Sequence, residues 1–363
     1  MEYTQERFAT FHDYGDAQPS APVEQATVVV PLAERDHASP AATQVMRKLA
    51  AVDPGRVLVA LRADGDAVAD VVEWIDSFGF DGSVLWCTAP EIGEALDAEG
   101  IDCAAGKGRD VWLGLGAASR SRYVVVHDAD ATSYGTAAVP KLLYPLANGY
   151  EFSKGYYARV EDERLYGRLF RLFYTPLLHS LDADYHHPFV SYLDGFRYAL
   201  AGEFAMTSDL ARSVRSPCGW GLEVGTLGDS FDVAGFEGTA QVDLGIHRHD
   251  HRSVDGSGGL GQMCAEVAET LFTVLEEHGL EFDYELLREQ YRERAAQLVS
   301  QYAGDAGFNG FSFDQRREHE QAATYAEAIQ PPTTDDRLPA WRELGLDPAR
   351  IEQLSAAAIE REC

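Results

Sequence analysis

Four short runs of apolar, largely β-branched residues punctuate the first 130 positions, and segments with a helical period separate them. Thr27–Leu32 leads into Pro40 to about Ala51, with Ser39 set as the N-cap; Arg56–Leu61 leads into Ala67–Phe78; Ser83–Cys87 leads into Glu91–Ala98; Tyr123–Val126 closes the series. Runs this apolar lack the in-out alternation of a half-solvated sheet, so both of their faces must be covered. Strands alternating with helices at this spacing predict an α/β fold: a right-handed, doubly wound, mostly parallel sheet with helices on both faces.

A sheet of that kind opens its ligand crevice at the strand ends, which directs attention to the residues after the fourth run. There the chain releases His127-Asp128-Ala129-Asp130-Ala131-Thr132. If the strand continued, Asp128 and Asp130 would point the same way and hold one hard cation, Mg2+ or Mn2+, against a phosphate-bearing ligand. The plainer alternative is a surface turn, where Asp is common. Just upstream, Gly106-Lys107-Gly108 begins a helix, and a helix N-terminus beside a cation suits a phosphate. It is not a P-loop, since the first glycine and the Ser/Thr after the lysine are missing; a glycine turn with an exposed lysine is the competing reading.

Further along, the pattern predicts a helix over Thr136–Asn148, a strand over Tyr150–Val160 carrying Lys154, and a long amphipathic helix from Glu163 to Leu181 that contains Gly167-Arg168. An aromatic-rich stretch ends in Leu200-Ala201-Gly202-Glu203-Phe204. After Ser216-Pro217-Cys218-Gly219, a helix beginning near Trp220 would bury Glu223 among apolar neighbours, and a buried acid needs a partner or a raised pKa. The strand Gln241–Gly245 empties into Ile246-His247-Arg248-His249-Asp250-His251-Arg252, where alternate histidines offer an imidazole to a metal or simply form a solvated loop. Asp182-Ala183-Asp184 follows a helix and reads as its solvated end. From Leu260 onward the chain is mostly helical, with Phe282–Tyr302 the clearest run, a Pro331–Thr334 linker and a helical tail suited to packing or dimer contacts.

Composition narrows the setting. Of 363 residues 45% are hydrophobic, enough for a large core. Asp and Glu number 59 against 30 basic residues, a formal charge of −29, which repels nucleic acid and anionic membrane. Only Lys48, Lys107, Lys141 and Lys154 are lysines. Such an acid-rich, lysine-poor surface resembles those of proteins from salt-accumulating halophiles, where molar salt shortens the Debye length to about 3 Å. Without a leader or an apolar span, the expectation is a soluble, cytoplasmic protein. Cys87, Cys103, Cys218, Cys264 and Cys363 stand far apart with no CxxC pair, so buried, reduced thiols are expected. The expected organisation is an N-terminal arm over 1–24, two α/β halves over 25–160 and 161–280, and a helical extension over 281–363.

The order Val30-Pro31-Leu32-Ala33-Glu34, Gly106-Lys107-Gly108-Arg109-Asp110-Val111-Trp112, Asp128-Ala129-Asp130, Leu200-Ala201-Gly202-Glu203, Gly219-Trp220-Gly221-Leu222-Glu223-Val224-Gly225 and Gln241-Val242-Asp243-Leu244-Gly245 resembles the glucosyl-3-phosphoglycerate and mannosyl-3-phosphoglycerate synthases, retaining GT-A glycosyltransferases of family 81. The likeness spans roughly 25–279. It implies a GT-A fold and hexose transfer from a nucleotide sugar, UDP-glucose or GDP-mannose, to a small anionic acceptor such as 3-phosphoglycerate, in a metal-dependent homodimer. Carried over by position, Asp130 and His249 would hold Mg2+ or Mn2+, with Asp128 contacting the ribose. Pro31, Leu32, Glu34, Lys107 and Ala129 would complete the donor site. Glu223 would orient the donor sugar or the acceptor hydroxyl, and the Leu200 carbonyl would lie beneath the anomeric carbon. Gly167, Arg168 and His251 would meet the acceptor.

Four departures leave specificity open. Glu34-Arg35 replaces the family's Asn-Glu, and Leu61-Arg62-Ala63-Asp64 its Asp-Ser-Gly turn, so both UDP and GDP remain. Phe170 stands at a family threonine and His251 at an asparagine, which bears on the acceptor. Two rivals stand beside this reading. Asp128-Ala129-Asp130-Ala131-Thr132 fits the DxDxT of haloacid-dehalogenase-type phosphatases, with Asp128 as nucleophile and Asp130 as acid, although that motif normally opens its domain. A protein that binds a nucleotide sugar without turning it over is the other.

Overall fold

A computed structural model describes residues 5–246, 248, 257–333 and 335–363. The chain enters through a short strand, β1 (Ala9–Phe11), and then alternates as its apolar runs demand: β2 (Ala26–Ala33), α1 (Pro40–Val52), β3 (Arg56–Arg62), α2 (Gly65–Asp76), β4 (Gly82–Trp86), α3 (Pro90–Ala98), α4 (Lys107–Ala118) and β5 (Tyr123–Val126). Local chemistry sets the boundaries. Ser39 Oγ accepts from the Ala42 amide at 3.1 Å to start α1, and Asp53 ends it in the left-handed region. Between them Ala42, Val45, Met46 and Leu49 recur at helical spacing and are buried against the sheet.

The second half adds α5 (Ala138–Ala147), β6 (Phe152–Ala158), a small hairpin of β7 (Val160–Glu161) and β8 (Arg164–Leu165), α6 (Thr175–Asp184), α7 (Pro188–Asp194), β9 (Phe204–Thr207), α8 (Ser208–Ala211), α9 (Leu222–Ala234) and β10 (Thr239–Ile246). The helix expected from Glu163 is not continuous. Asp162 and Glu163 take φ of 47° and 55° to turn the hairpin, Gly167 comes next at 72°, and a π-helical turn over Phe170–Tyr174 precedes α6. Turn chemistry at Asp-Glu outweighs the helical period that surrounds it.

The eight-stranded sheet runs β1-β10-β6-β9-β5-β2-β3-β4. Every pairing is parallel except those of β9, which lies antiparallel between β5 and β6. Two consequences position a site. β3 lies on one side of β2 and β5 on the other, so the strand order reverses between β2 and β5, where α/β sheets bind ligands. And because β9 runs backwards, its entry segment Leu200–Glu203 lies on the edge where β5 and β6 end.

Four helices finish the chain: α10 (Ser257–Glu277), α11 (Tyr284–Phe308), α12 (Gln315–Ala326) and α13 (Pro348–Glu362). Among the described residues no helix is long and apolar enough to cross a membrane. Tyr291 of α11 donates to the Leu172 carbonyl at 2.6 Å, which seats the helical extension on the second half. The tail then returns to the first half. Trp341 stacks on Trp112 of α4 at 4.3 Å, each indole N–H donating to a carbonyl beside the other ring, at 2.8 and 2.9 Å. In α13, Glu352 pairs with Arg56 at 2.6 Å and Ser355 accepts from the Trp86 amide at 2.8 Å. The tail is thus engaged in packing within its own chain. Trp341→Ala empties a buried indole and is expected to lower stability by about 3–5 kcal/mol in chemical denaturation; an unchanged midpoint would mean that the tail does not hold α4.

Candidate functional site

The strand β5 stops at Val126, so Asp128 and Asp130 belong to a turn and the alternation expected of a continuing strand does not apply. His127 remains inside, edge-on to Tyr134 at 4.8 Å. Asp128 turns to the start of α4: Lys107 Nζ lies 2.8 Å from its Oδ1 and 3.1 Å from its Oδ2. The same ammonium reaches Glu223 Oε1 at 3.2 Å. Glu223 sits in the first turn of α9 and is 8% exposed, so the buried acid of the sequence does have a partner, and it is a lysine. Lys107 is not the exposed lysine of a glycine turn. Burial works against its charge, but Asp128, Glu223 and, at longer range, Asp130 hold it well above the ordinary lysine range.

Close backbone approach makes this triad possible. A Cβ on Gly108 would lie 1.9 Å from the Pro217 carbonyl oxygen, and the Arg109 amide donates to the Cys218 carbonyl at 3.2 Å. The loop before α9 is therefore pressed onto the first turn of α4, and Glu223 comes with it. A disulfide between Cys103 and Cys218, 115 residues apart in sequence, ties the same two loops. This corrects the expectation of five reduced, buried thiols: Cys87 and Cys264 are free and buried, and Cys363 is free and exposed. No spacing rule links cysteines so distant, because the pairing results from the loop packing.

The reversed strand supplies the site's floor. Leu200 is half-buried, Ala201 is buried, and a Cβ on Gly202 would lie 2.2 Å from Asp128 Oδ2. Lys154, in the middle of β6 and 1% exposed, donates to the Ala201 carbonyl at 2.5 Å and lies over the Phe204 ring at 5.1 Å. Burial draws its pKa down to about 8, against the pull of Glu223 and Glu203. The unfolded chain holds that proton more tightly, so this group opposes folding below about pH 8 and the opposition fades as pH climbs toward the ordinary lysine range.

On the far side, Gly167 packs against Tyr198 and Arg159. Tyr156, Tyr157, Tyr198 and Ala201 form one small cluster with Phe170 against it, so the Gly167-Arg168 segment adjoins the floor through aromatic rings. Arg159 Nη1 donates to Tyr198 Oη at 3.4 Å, and the field of Asp130 reaches its guanidinium. Sequence reasoning passed over Arg159 and the Lys154 contact. Arg159 comes after the end of β6 as Asp128 comes after that of β5, a signal that strand-end logic could have used.

The remaining candidates divide. Pro31 and Leu32 close β2, and Glu34 accepts from the Asp64 amide at 3.0 Å, joining the ends of β2 and β3. Ala129 is buried between the two aspartates. His249 and His251 lie outside the described residues. Their neighbour Arg248 is described: its carbonyl accepts from the Thr132 amide at 2.8 Å and its amide donates to Ser133 Oγ at 2.9 Å, two and three residues beyond Asp130. Among the described residues no group of three His, Cys, Asp or Glu side chains forms a metal shell.

Gly108→Ala sets two effects against each other. Alanine gains about 1 kcal/mol of helix propensity, whereas a methyl group against the Pro217 carbonyl costs about 1–3 kcal/mol. With 1.9 Å available, the clash wins. A lower melting temperature is expected, and a higher one would show that the two loops are not in contact.

No family model matches the chain. It is 32% identical to the glucosyl-3-phosphoglycerate synthase of Methanococcoides burtonii, over 99% of this chain and 98% of that protein. To the glucosyl-3-phosphoglycerate synthase of Persephonella marina it is 33% identical, over 76% of this chain and 72% of that one. Among solved structures, the glucosyl-3-phosphoglycerate synthase of Mycobacterium tuberculosis in complex with Mn2+, UDP-glucose and phosphoglyceric acid superposes with a TM-score of 0.56 at 24% identity, covering 76% of this chain and 89% of that one. The same enzyme with Mg2+ and UDP also gives 0.56 at 24% identity, over 76% and 88%. The likeness to these structures shows the fold, a GT-A α/β sheet.

Proposed function

The chain belongs to the glucosyl-3-phosphoglycerate synthase family, and on that premise we propose that it transfers glucose, with retention, from UDP-glucose to 3-phosphoglycerate. The relatives' names support the substrates, and UDP-glucose with phosphoglyceric acid in the mycobacterial enzyme supports UDP over GDP. One observation of this chain carries the reading: Lys107 bridges Asp128 and Glu223 at the point where the two halves of the sheet meet. Membership in this family leaves no room for the phosphatase reading of Asp128 and Asp130. A protein that binds without turnover is disfavoured by the charged triad kept together at the site.

In this reading Lys107 stays protonated at any working pH and offers a fixed positive charge to the donor diphosphate as the glycosidic bond breaks. Asp128 takes the ribose side, with Pro31, Leu32, Glu34 and Ala129 lining the rest of the donor site. Asp130 is a hard oxygen donor on a half-buried turn, and the anchoring of Arg248 beside Thr132 supports His249 as its companion; such an oxygen and imidazole set fits Mg2+ or Mn2+. When bound, that cation would neutralise the charge growing on the leaving diphosphate. Glu223 positions the sugar or the acceptor hydroxyl, and the Leu200 carbonyl faces the anomeric carbon. Because bond breaking and bond making take place on one face of the sugar, no enzyme nucleophile is needed. Gly167, Arg168 and His251 receive the acceptor's anionic end. The reading further takes the enzyme to be a cytoplasmic homodimer, and the acid-rich composition supports a salt-rich cell interior.

The direct test incubates the protein in molar KCl with UDP-glucose, 3-phosphoglycerate and Mn2+ and monitors UDP release with glucosylated product. Transfer is expected to vanish in Asp130→Ala and with chelator, while far-UV circular dichroism is unchanged. Phosphate release from small phosphomonoesters without any sugar nucleotide, and no sugar transfer, would refute the reading. For the acceptor, loss of a charge-assisted hydrogen bond is worth about 1.5–3 kcal/mol, so Arg168→Ala is expected to raise the KM for 3-phosphoglycerate about 10–100-fold and to move the donor KM little. An unchanged acceptor KM would put the anion elsewhere.

A further inference from the structure

A lysine in the middle of a central strand, 1% exposed, calls for a physical reason. Lys154 is one of only four lysines in a chain that otherwise uses arginine. An ammonium has three donors, and this one makes a single hydrogen bond among the described residues, to the Ala201 carbonyl. The fields of four charged groups on the surrounding elements reach it: Glu223 on α9, Glu203 at the entry to β9, Lys107 on α4 and Asp128 after β5. A methionine of similar length would fill the same space with no charge to desolvate. Stability therefore does not explain the lysine.

What it touches does. Leu200–Glu203 is irregular backbone that enters β9 without ladder partners of its own. Its anchors come from neighbours. Lys154 Nζ holds the Ala201 carbonyl at 2.5 Å, the Gly155 amide donates to the Glu203 carbonyl at 2.9 Å, and Gly202 is pressed against Asp128. The ammonium and the carboxylate that pairs with Lys107 thus both bear on this one turn, and together they fix its place beside the donor side of the site.

We propose that Lys154 is a positioning residue of the transfer reaction: through its hydrogen bond to the Ala201 carbonyl it holds the Leu200–Gly202 turn at the height where the Leu200 carbonyl meets the donor sugar. This rests on the donor-site reading above. Misplacing reacting groups by about 1 Å costs about 100-fold in rate. The nucleotide, held by other residues, would not register the change.

The test compares the full-length protein with Lys154→Met. Expected are a kcat lower by about 100-fold, a Kd for UDP with Mn2+ within about threefold by calorimetry, and a melting temperature at pH 7 no lower than the parent's. Lys154→Arg, which keeps a charged donor, is expected to recover at least about tenfold over Lys154→Met. If Lys154→Met fails to fold, Lys154→Gln replaces it, one bond too short to reach Ala201, and the same kcat loss is expected. A kcat within about threefold of the parent for either variant overturns the proposal, as does a UDP affinity that falls in step with kcat. No transfer by the parent itself would refute the functional reading and leave the lysine's role to be judged from the Kd and melting data, where a lower melting temperature overturns it.

Discussion

One ammonium holds the site together. Lys107 begins α4 in the first half of the sheet, and its two carboxylate partners come from the end of β5 and from α9 in the second half. An ammonium set between two carboxylates draws the three segments that carry these groups to one place. The arrangement is net negative before anything binds, so it is suited to a ligand that arrives with a cation. It also means that the geometry of α4 is the geometry of the site, and much of the remaining structure serves to fix that helix.

Three separate constraints do so. The loop before α9 lies against the first turn at Gly108, at a distance that only a glycine tolerates. The Cys103–Cys218 disulfide joins the same two segments covalently. Midway along the helix, Trp341 stacks on Trp112 and carries the C-terminal tail back across the first half, with α13 closing over β4. A tail that begins after a proline-rich linker thus contributes to a site about 200 residues upstream, since Trp112 lies roughly one and a half turns beyond Lys107.

The antiparallel strand β9 is the second organising choice. Were it parallel like its neighbours, Leu200–Glu203 would open on the opposite edge of the sheet, away from Asp128. Its reversal sets backbone carbonyls, which need no side-chain chemistry, beside the carboxylate turn. Packing of Ala201 among Tyr156, Tyr157 and Tyr198, with Phe170 against them, then links this floor to the Gly167-Arg168 segment.

The sequence by itself determined the parallel core. Apolar runs such as Val28–Val30 and Val124–Val126 admit only burial on both faces, and Ser39 marks its helix because capping is local. The order of short motifs pointed to the family, and strand-end reasoning found Asp128, while a buried Glu223 announced that it needed a partner. Only the tertiary structure decided which partner. Lys107 and Glu223 are 116 positions apart and Cys103 and Cys218 are 115 apart, and pairings at that range depend on how loops dock, which no periodicity encodes. The hairpin at Asp162-Glu163 escaped the helical pattern because two backbone dihedrals overrode it. Lys154 escaped because a lysine in a strand reads as a solvent-facing residue until the neighbouring strand is known, and the strand that buries it, β9, runs against the direction of all the others.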